Sequence, residues 1–389
     1  MKKNYPLASS SWGMEEIEAI NRVIASDMFT MGKEVQEYEE LFAEYVGSKY
    51  CLMVNSGSSA NLLAVASLFY KKTNALVAGD EVIVPAVSWA TTYFPLYQYG
   101  LKLKFVDIDI NTLNYNLETL KEAINNNTRM IVVVNLLGNP NDFEEIQSLI
   151  GERDIILLED NCESLGAEYN GKQAGTFGVM GTYSSFFSHH ISTMEGGMIV
   201  TNNLELYHIL LSLRSHGWTR HLPQINCLVG SKKDNPFEES FRFVLPGYNV
   251  RPIEFNGAIG KEQLKKLPEF LAHRRKNALL FQQLFADNEF YLIQKEIGSS
   301  SWFGFSFIIK EGAPFNRNEV ITKLNKNNID CRPIVAGNFA KNEVLKWFNY
   351  EIYGSLENAE LVDQNGFFVG NHHFDITDQL HRLKETLMG

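Results

Sequence analysis

The chain has 389 residues, 45% of them hydrophobic, with 35 Lys and Arg against 46 Asp and Glu for a formal net charge of -11. That length exceeds one compact domain of ordinary size and predicts a large domain with a smaller companion. The acidic balance argues against a nucleic-acid or anionic-membrane partner, because phosphate-rich surfaces need a basic patch, and a small-molecule substrate is expected instead.

The opening MKKNYPLASSSW has two lysines but no apolar run behind them, so no secretory signal is expected. No stretch approaches membrane-spanning length, and the expectation is a soluble, cytoplasmic protein with no membrane partner. In 15–25 the apolar Ile17, Ile20, Val23 and Ile24 recur at helical spacing, and 35–46 repeats the pattern, which predicts two amphipathic helices. Short apolar runs bounded by Gly, Asn and Pro follow: CLMVN, EVIVP, LKFVDI, MIVVVN, DIILLED, GTYSSFF and GMIVT. Helical patterns at 58–70 and 117–124 fall between them. This alternation predicts an α/β fold with a largely parallel sheet covered by helices.

The alternation weakens after about 245. A long helical pattern runs through 251–275, then a strand-like WFGFSFII at 302–309 and a helix at 317–327. The expected division is a large domain over 1–245, including the N-terminal helices, and a smaller α+β domain over 246–389. No Pro/Gly-rich linker separates them, so close packing is expected. The four cysteines, Cys51, Cys162, Cys227 and Cys331, lie far apart with no Cys-x-x-Cys pair, which suits reduced structural thiols.

Several motifs carry possible chemistry. NSGSSANLLAV (55–65) sets glycine and serines between a strand and a helix, where free N–H groups favour a phosphate, although the same turn serves as an ordinary helix cap. LEDNCESLGA (158–167) puts Asp160 and Glu163 just past an apolar strand. In a parallel sheet that edge is where ligands bind, and a solvated strand end is the alternative. Trp89 in PAVSWATT (85–92) follows another strand, suited either to stacking on a planar ring or to packing. In SSFFSHHISTMEGG (184–197), His189 and His190 are adjacent and point opposite ways on an extended chain, with no third ligand at metal spacing, so no metal site is expected. A structural and a proton-transferring histidine both remain open from the residues alone.

These segments, with NLLGNP (135–140), LRSHGWTR (213–220), GYNVRPIEFNGAIGKEQLKKL (247–267) and VGNHH (369–373), occur in the order of the sugar aminotransferase and dehydratase family that uses vitamin B6 cofactors. The chain resembles that family through most of its length. The resemblance implies the aspartate aminotransferase fold, fold type I, with 1–245 as the cofactor-binding domain. It implies that Gly57, Ser58, Ser59 and Ser184 hold the cofactor phosphate, that Trp89 stacks on the pyridine ring, and that Asp160 pairs with the ring nitrogen. Glu163 is implied near the phenolic oxygen, and Asn249 as a residue lent to the phosphate site of a neighbouring subunit, hence a homodimer with shared active sites.

The sequence departs from the aminotransferase pattern at His189, where those enzymes carry the lysine that binds the cofactor covalently. Histidine cannot make that bond, but its ordinary pKa near ~6.5 suits proton removal and return. The same change is similar to that in the sugar 3-dehydratases of the family. The resemblance therefore implies pyridoxamine 5'-phosphate or pyridoxal 5'-phosphate held noncovalently and glutamate as the amino donor that regenerates the amine form. It implies C-3 deoxygenation of a nucleotide-linked 4-keto-6-deoxy sugar, GDP-4-keto-6-deoxy-D-mannose or a related GDP-heptose, with His189 as acid and base. The scattered cysteines offer no cluster set, so no iron-sulfur reductase partner is expected. His216 is a further candidate at the catalytic centre, and Arg220, Arg251 and Arg332 are candidates for substrate or diphosphate contacts.

Overall fold

The computed structural model describes residues 4–388; residues 1–3, with both lysines of the opening segment, and residue 389 lie outside the described residues. Strands β1 (Tyr50–Val54), β2 (Glu81–Pro85), β3 (Lys102–Val106), β4 (Thr128–Val134) and β5 (Ile156–Asp160) come first, followed by the hairpin β6 (Glu168–Tyr169) and β7 (Lys172–Gln173). Then come β8 (Met180–Ser184), β9 (Gly197–Thr201), and a second hairpin of β10 (Ile225–Asn226) and β11 (Gly230–Ser231). The remaining strands are β12 (Tyr291–Ile293), β13 (Gly304–Ile309), β14 (Cys331–Arg332), β15 (Tyr350–Ile352) and β16 (Gly366–Gly370). They build an eight-stranded sheet in the order β1-β9-β8-β5-β4-β2-β3-β15 and a four-stranded sheet in the order β12-β13-β16-β14.

In the large sheet only β9 runs antiparallel to its neighbours, β1 and β8; the other pairs are parallel. The expected largely parallel α/β sheet is present. Gly197 faces both Val54 of β1 and Ser184 of β8, and a Cβ there would run into the carbonyl of Ser56. Glycine at this position brings the turn after β1 beside the end of β8.

Helices α1 (Met14–Ser26) and α2 (Lys33–Val46) occupy the first two predicted amphipathic segments. In α2 the buried Val35, Tyr38, Phe42 and Val46 recur three or four residues apart, one face of a helix. Gly47, at φ 75°, ends it in the left-handed conformation glycine adopts without strain. Helix α3 (Gly57–Leu68) is buried on nearly every side beneath the sheet, and α4 (Ala90–Gln98) follows β2.

The helix Glu254–Phe285 runs for 32 residues, about 48 Å. Its first half packs on α1 and α2, and its second half places Ala278, Phe281 and Phe285 in the core of the small sheet. It ties the two sheets into one body. The segment 246–389 also returns to the large sheet, where β15 pairs with β3 in parallel. The division expected near 245 therefore does not separate two sets of strands. No helix among the described residues is long and apolar enough to cross a membrane.

Candidate active site

A cavity of about 650 Å³ opens at the carboxyl ends of the parallel strands, the edge at which an open α/β sheet binds ligands. Gly57, Ser58, Trp89, Asp160, Glu163, Ser184, His189 and Arg332 all line it. Chain segments more than a hundred residues apart converge there.

The first turn of α3 forms one wall. Ser56 caps the helix by accepting from the N–H of Ser59 at 3.1 Å. A Cβ at Gly57 would lie 2.7 Å from the Cβ of Ser184 and 3.1 Å from Cys162 Sγ. Only glycine lets the helix N-terminus pack this tightly on the end of β8, which sets Ser58 and Ser184 in the same wall beside the unfilled N–H groups of the first turn. The Ser59 hydroxyl accepts from Ser56 Oγ at 3.1 Å, and Ser59 stands just behind the cavity lining.

Asp160, the last residue of β5, is buried at the floor. Its Oδ2 accepts from Asn61 Nδ2 at 2.8 Å and from Thr92 Oγ1 at 2.7 Å, and its Oδ1 accepts from the N–H of Cys162 at 3.2 Å. Thr92 also meets Ser88 Oγ at 2.8 Å, and Asn61 Oδ1 accepts from Thr182 Oγ1 at 2.5 Å. The carboxylate is thus fixed from α3, α4 and its own turn. Sequence reading missed Asn61, Ser88 and Thr92. For Asn61 and Thr92 the available signal was an uncharged polar residue on the buried face of an otherwise apolar helix, a place where such a group needs a partner; Ser88 lies in the turn before α4 and carries no such signal.

His189 follows β8 in the turn 186–189. Its Nδ1 lies 2.7 Å from the carbonyl oxygen of Cys162. A carbonyl only accepts, so Nδ1 carries the proton and Nε2 keeps a free lone pair. Burial pushes the imidazole down to about 4, against smaller raising effects from the Cys162 carbonyl and from Asp160. This corrects the ordinary value expected from sequence: His189 is neutral at physiological pH and, once protonated, a stronger acid than a free histidine. His190 turns away from the cavity, and its Nε2 donates to the carbonyl of Ser301 at 3.1 Å.

Glu163 accepts from the N–H of Leu137 at 3.0 Å, and burial, with the nearby Asp160 charge, raises it to about 7. It exchanges its proton near neutrality. Trp89 stands at the cavity mouth with 59% of its surface exposed, its flat face available to a planar ring. No lysine belongs to the cavity wall among the described residues.

His216, Arg220, Asn249 and Arg251 do not enter this cavity. They gather around Trp218 instead. Arg220 and Arg251 lie 5.4 and 5.9 Å from its ring, His216 meets it edge-on, and Arg251 Nε donates to Asn249 Oδ1 at 2.9 Å. His216, expected at the catalytic centre, belongs to this cluster and does not line the cavity of its own chain.

The family model described as the DegT/DnrJ/EryC1/StrS aminotransferase family matches residues 11–378. GDP-4-keto-6-deoxy-D-mannose 3-dehydratase of Escherichia coli O55:H7 (strain CB9615 / EPEC) is 60% identical over 385 residues, covering 99% of this chain and 99% of that protein. Among solved structures, E coli GDP-4-keto-6-deoxy-D-mannose-3-dehydratase with bound hydrated PLP matches with a TM-score of 0.99 at 60% identity, covering 100% of both chains. GDP-4-keto-6-deoxymannose-3-dehydratase with a trapped PLP-glutamate geminal diamine matches with a TM-score of 0.98 at 60% identity, covering 99% of this chain and 100% of that one.

Proposed function

Because the chain belongs to the DegT/DnrJ/EryC1/StrS aminotransferase family, we propose that its cavity carries out a vitamin B6-dependent 3-dehydration of GDP-4-keto-6-deoxy-D-mannose. The products are the 3-deoxy-4-keto sugar and ammonia, whose nitrogen comes from the cofactor amine, and glutamate restores the amine form of the cofactor. The observation that carries this reading is His189, neutral and tied through Nδ1 to the Cys162 carbonyl, in a cavity wall without lysine.

The residues present fit the cofactor. The close-packed turn of Gly57 and Ser58 with Ser184 suits its phosphate, Asp160 its ring nitrogen, Glu163 its phenolic oxygen and Trp89 its ring face. When bound, the cofactor supplies an amine for the 4-keto carbon and, as a protonated pyridinium, an electron sink. Asp160, held by Asn61 and Thr92, keeps its carboxylate where it stabilises that pyridinium charge.

His189 does the proton work. Its free Nε2 accepts a proton, and the resulting imidazolium, costly in this buried setting, is driven to give the proton to the departing C-3 hydroxyl. The absence of an anchoring lysine favours elimination over stable amine transfer. The enzyme works as a homodimer in the cytoplasm, and the cluster of Asn249, Arg251, Arg220 and His216 is presented to the partner's cavity, where it meets phosphate groups and sugar. Arg332, exposed at the cavity, takes the nucleotide diphosphate.

The test is mass spectrometry of the sugar after incubation with pyridoxamine phosphate, glutamate and GDP-4-keto-6-deoxy-D-mannose, beside His189→Asn. Loss of one sugar oxygen, abolished in the variant, supports the reading. An amino sugar product would overturn it, and an unchanged hexose beside a dehydrated GDP-heptose would move the substrate.

A further inference from the structure

Arg274, in the second half of the long helix, is 5% exposed, and the hydrogen bonds of its guanidinium go to carbonyls rather than to a carboxylate. Its Nη1 lies 3.3, 3.2 and 3.1 Å from the carbonyl oxygens of Trp302, Phe303 and Asn371. Asn371 reinforces the arrangement by donating to the carbonyls of Arg274 and Trp302, at 3.1 and 2.9 Å. A buried cation without a counter-ion is costly, and here it binds the Asn371 carbonyl and, on the other side, the stretch 302–303.

That stretch is the buttress of the catalytic turn. Trp302 has φ 49°, a left-handed conformation that costs a bulky residue free energy and persists only where its surroundings hold it. Ser301 donates its N–H to Gly138 at 2.9 Å, and its carbonyl receives His190 Nε2. The ring of Phe303 then lies 5.2 Å from the ring of His189 and 5.8 Å from that of His190, inside the cavity wall.

We propose that Arg274 is a positioning residue for proton transfer: by holding the Trp302 and Phe303 carbonyls it sets the Phe303 ring against His189 and so fixes the imidazole with Nε2 facing the cavity. The proposal rests on His189 as the proton carrier. Asp160 from β5, His190 beside it and Arg274 from the long helix act on His189, while Glu163, Glu195, Cys162 and Arg332 share the cavity wall. Of these, Arg274 opposes the imidazolium and Asp160 favours it. Losing the guanidinium therefore moves the His189 midpoint upward.

The test uses the cofactor-free protein and the enzyme side by side. Nuclear magnetic resonance follows the titration of the His189 imidazole, assigned by its absence in His189→Asn, and steady-state kinetics separate kcat from KM. In Arg274→Gln the midpoint rises measurably above the parent value and kcat falls roughly tenfold, with KM within about twofold. Arg274→Lys, which keeps the charge, returns the midpoint to the parent value and recovers part of kcat. A folded Arg274→Gln with unchanged midpoint and kcat, or an Arg274→Lys no better than it, overturns the proposal. Should Arg274→Gln fail to fold, Phe303→Leu decides, because kcat must fall about tenfold at unchanged KM. The imidazole titration requires no sugar, so a failure of the dehydratase assay leaves this result standing on its own.

Discussion

The Nδ1 of His189 donates to the carbonyl of Cys162 at 2.7 Å, and the N–H of that same Cys162 donates to Asp160. One residue's backbone therefore links the His189 imidazole to the Asp160 carboxylate. The spacing between the two is set by the turn after β5, and a side-chain change at Cys162 leaves it in place.

The amide of asparagine can keep the bond to the Cys162 carbonyl but has no basic nitrogen. His189→Asn is expected to retain cofactor binding while losing dehydration by roughly 10²–10⁴-fold. Cofactor absorbance after gel filtration and the rate of sugar deoxygenation check the two halves. A variant within a few-fold of the parent rate would sink the role of His189.

Asn61 was invisible as a site residue yet holds Asp160 at 2.8 Å. Asn61→Ala leaves Asp160 with Thr92 and the Cys162 N–H, so a destabilisation of about 1–3 kcal/mol and a partial loss of kcat are expected. Asp160→Asn removes the charge itself, and at least a hundredfold fall in kcat is expected at near-parental sugar KM. Denaturant melts and initial rates measure both. Equal losses of kcat in the two variants would mean that Asp160 acts only as part of the network.

Gly57→Ala inserts a methyl group 2.7 Å from Ser184 Cβ. Helix and strand end must part, costing about 1–3 kcal/mol, and cofactor affinity is expected to fall roughly tenfold. A fluorescence titration with pyridoxal phosphate reads this directly, and unchanged affinity would remove the turn from the phosphate site.

Burial holds His189, His221, His372 and His373 down to about 4 and also lowers His190 and His208 from the ordinary value. Between pH 4 and about 6.5 the unfolded chain binds protons that the folded one does not. The histidine contribution is therefore fully present above about 6.5 and is lost as pH falls toward 4. Glu163, raised to about 7, acts in the other direction: its contribution is complete below the usual carboxylate pKa and is lost as pH rises through 7. Glu159, Glu39 and Asp107 are raised as well, but the six lowered histidines outnumber these four carboxyls, so the melting temperature should drop below pH 6.5. A melting temperature that instead climbed toward pH 4.5 would contradict this assignment of neutral buried histidines.

If Asn249 serves the neighbouring cavity, His189→Asn in one chain and Asn249→Asp in the other damage the same site of a mixed dimer and leave its second site intact. Refolding the two inactive variants together should recover about a quarter of parental activity, since half the dimers are mixed and each keeps one intact site. No recovery in a dimer whose mixing is verified by mass would place Asn249 in its own chain's site.

The strand ends were legible because a buried parallel strand is a short apolar run with a polar stop, and Asp160 is such a stop. His189 was legible because a family pattern has lysine there. What escaped was tertiary. Asn61 and Thr92 look like ordinary helix residues until α3 and α4 meet at Asp160, and no local pattern announces that Arg274 will reach residues 302, 303 and 371. The lowered pKa of His189 was missed for the same reason, since burial belongs to the assembled wall.

The pairing of β15 with β3 has a consequence for synthesis on the ribosome. Until residues 350–352 emerge, the β3 edge of the large sheet lacks its final neighbour, an interval on the order of ten seconds to a minute at ordinary elongation rates. A bare edge recruits other chains. Lys102 lies on that edge and later pairs with Glu351 of the arriving strand, which also approaches Lys104, itself held by Glu81 at 2.7 Å, so the charge that discourages premature partners also selects the right one.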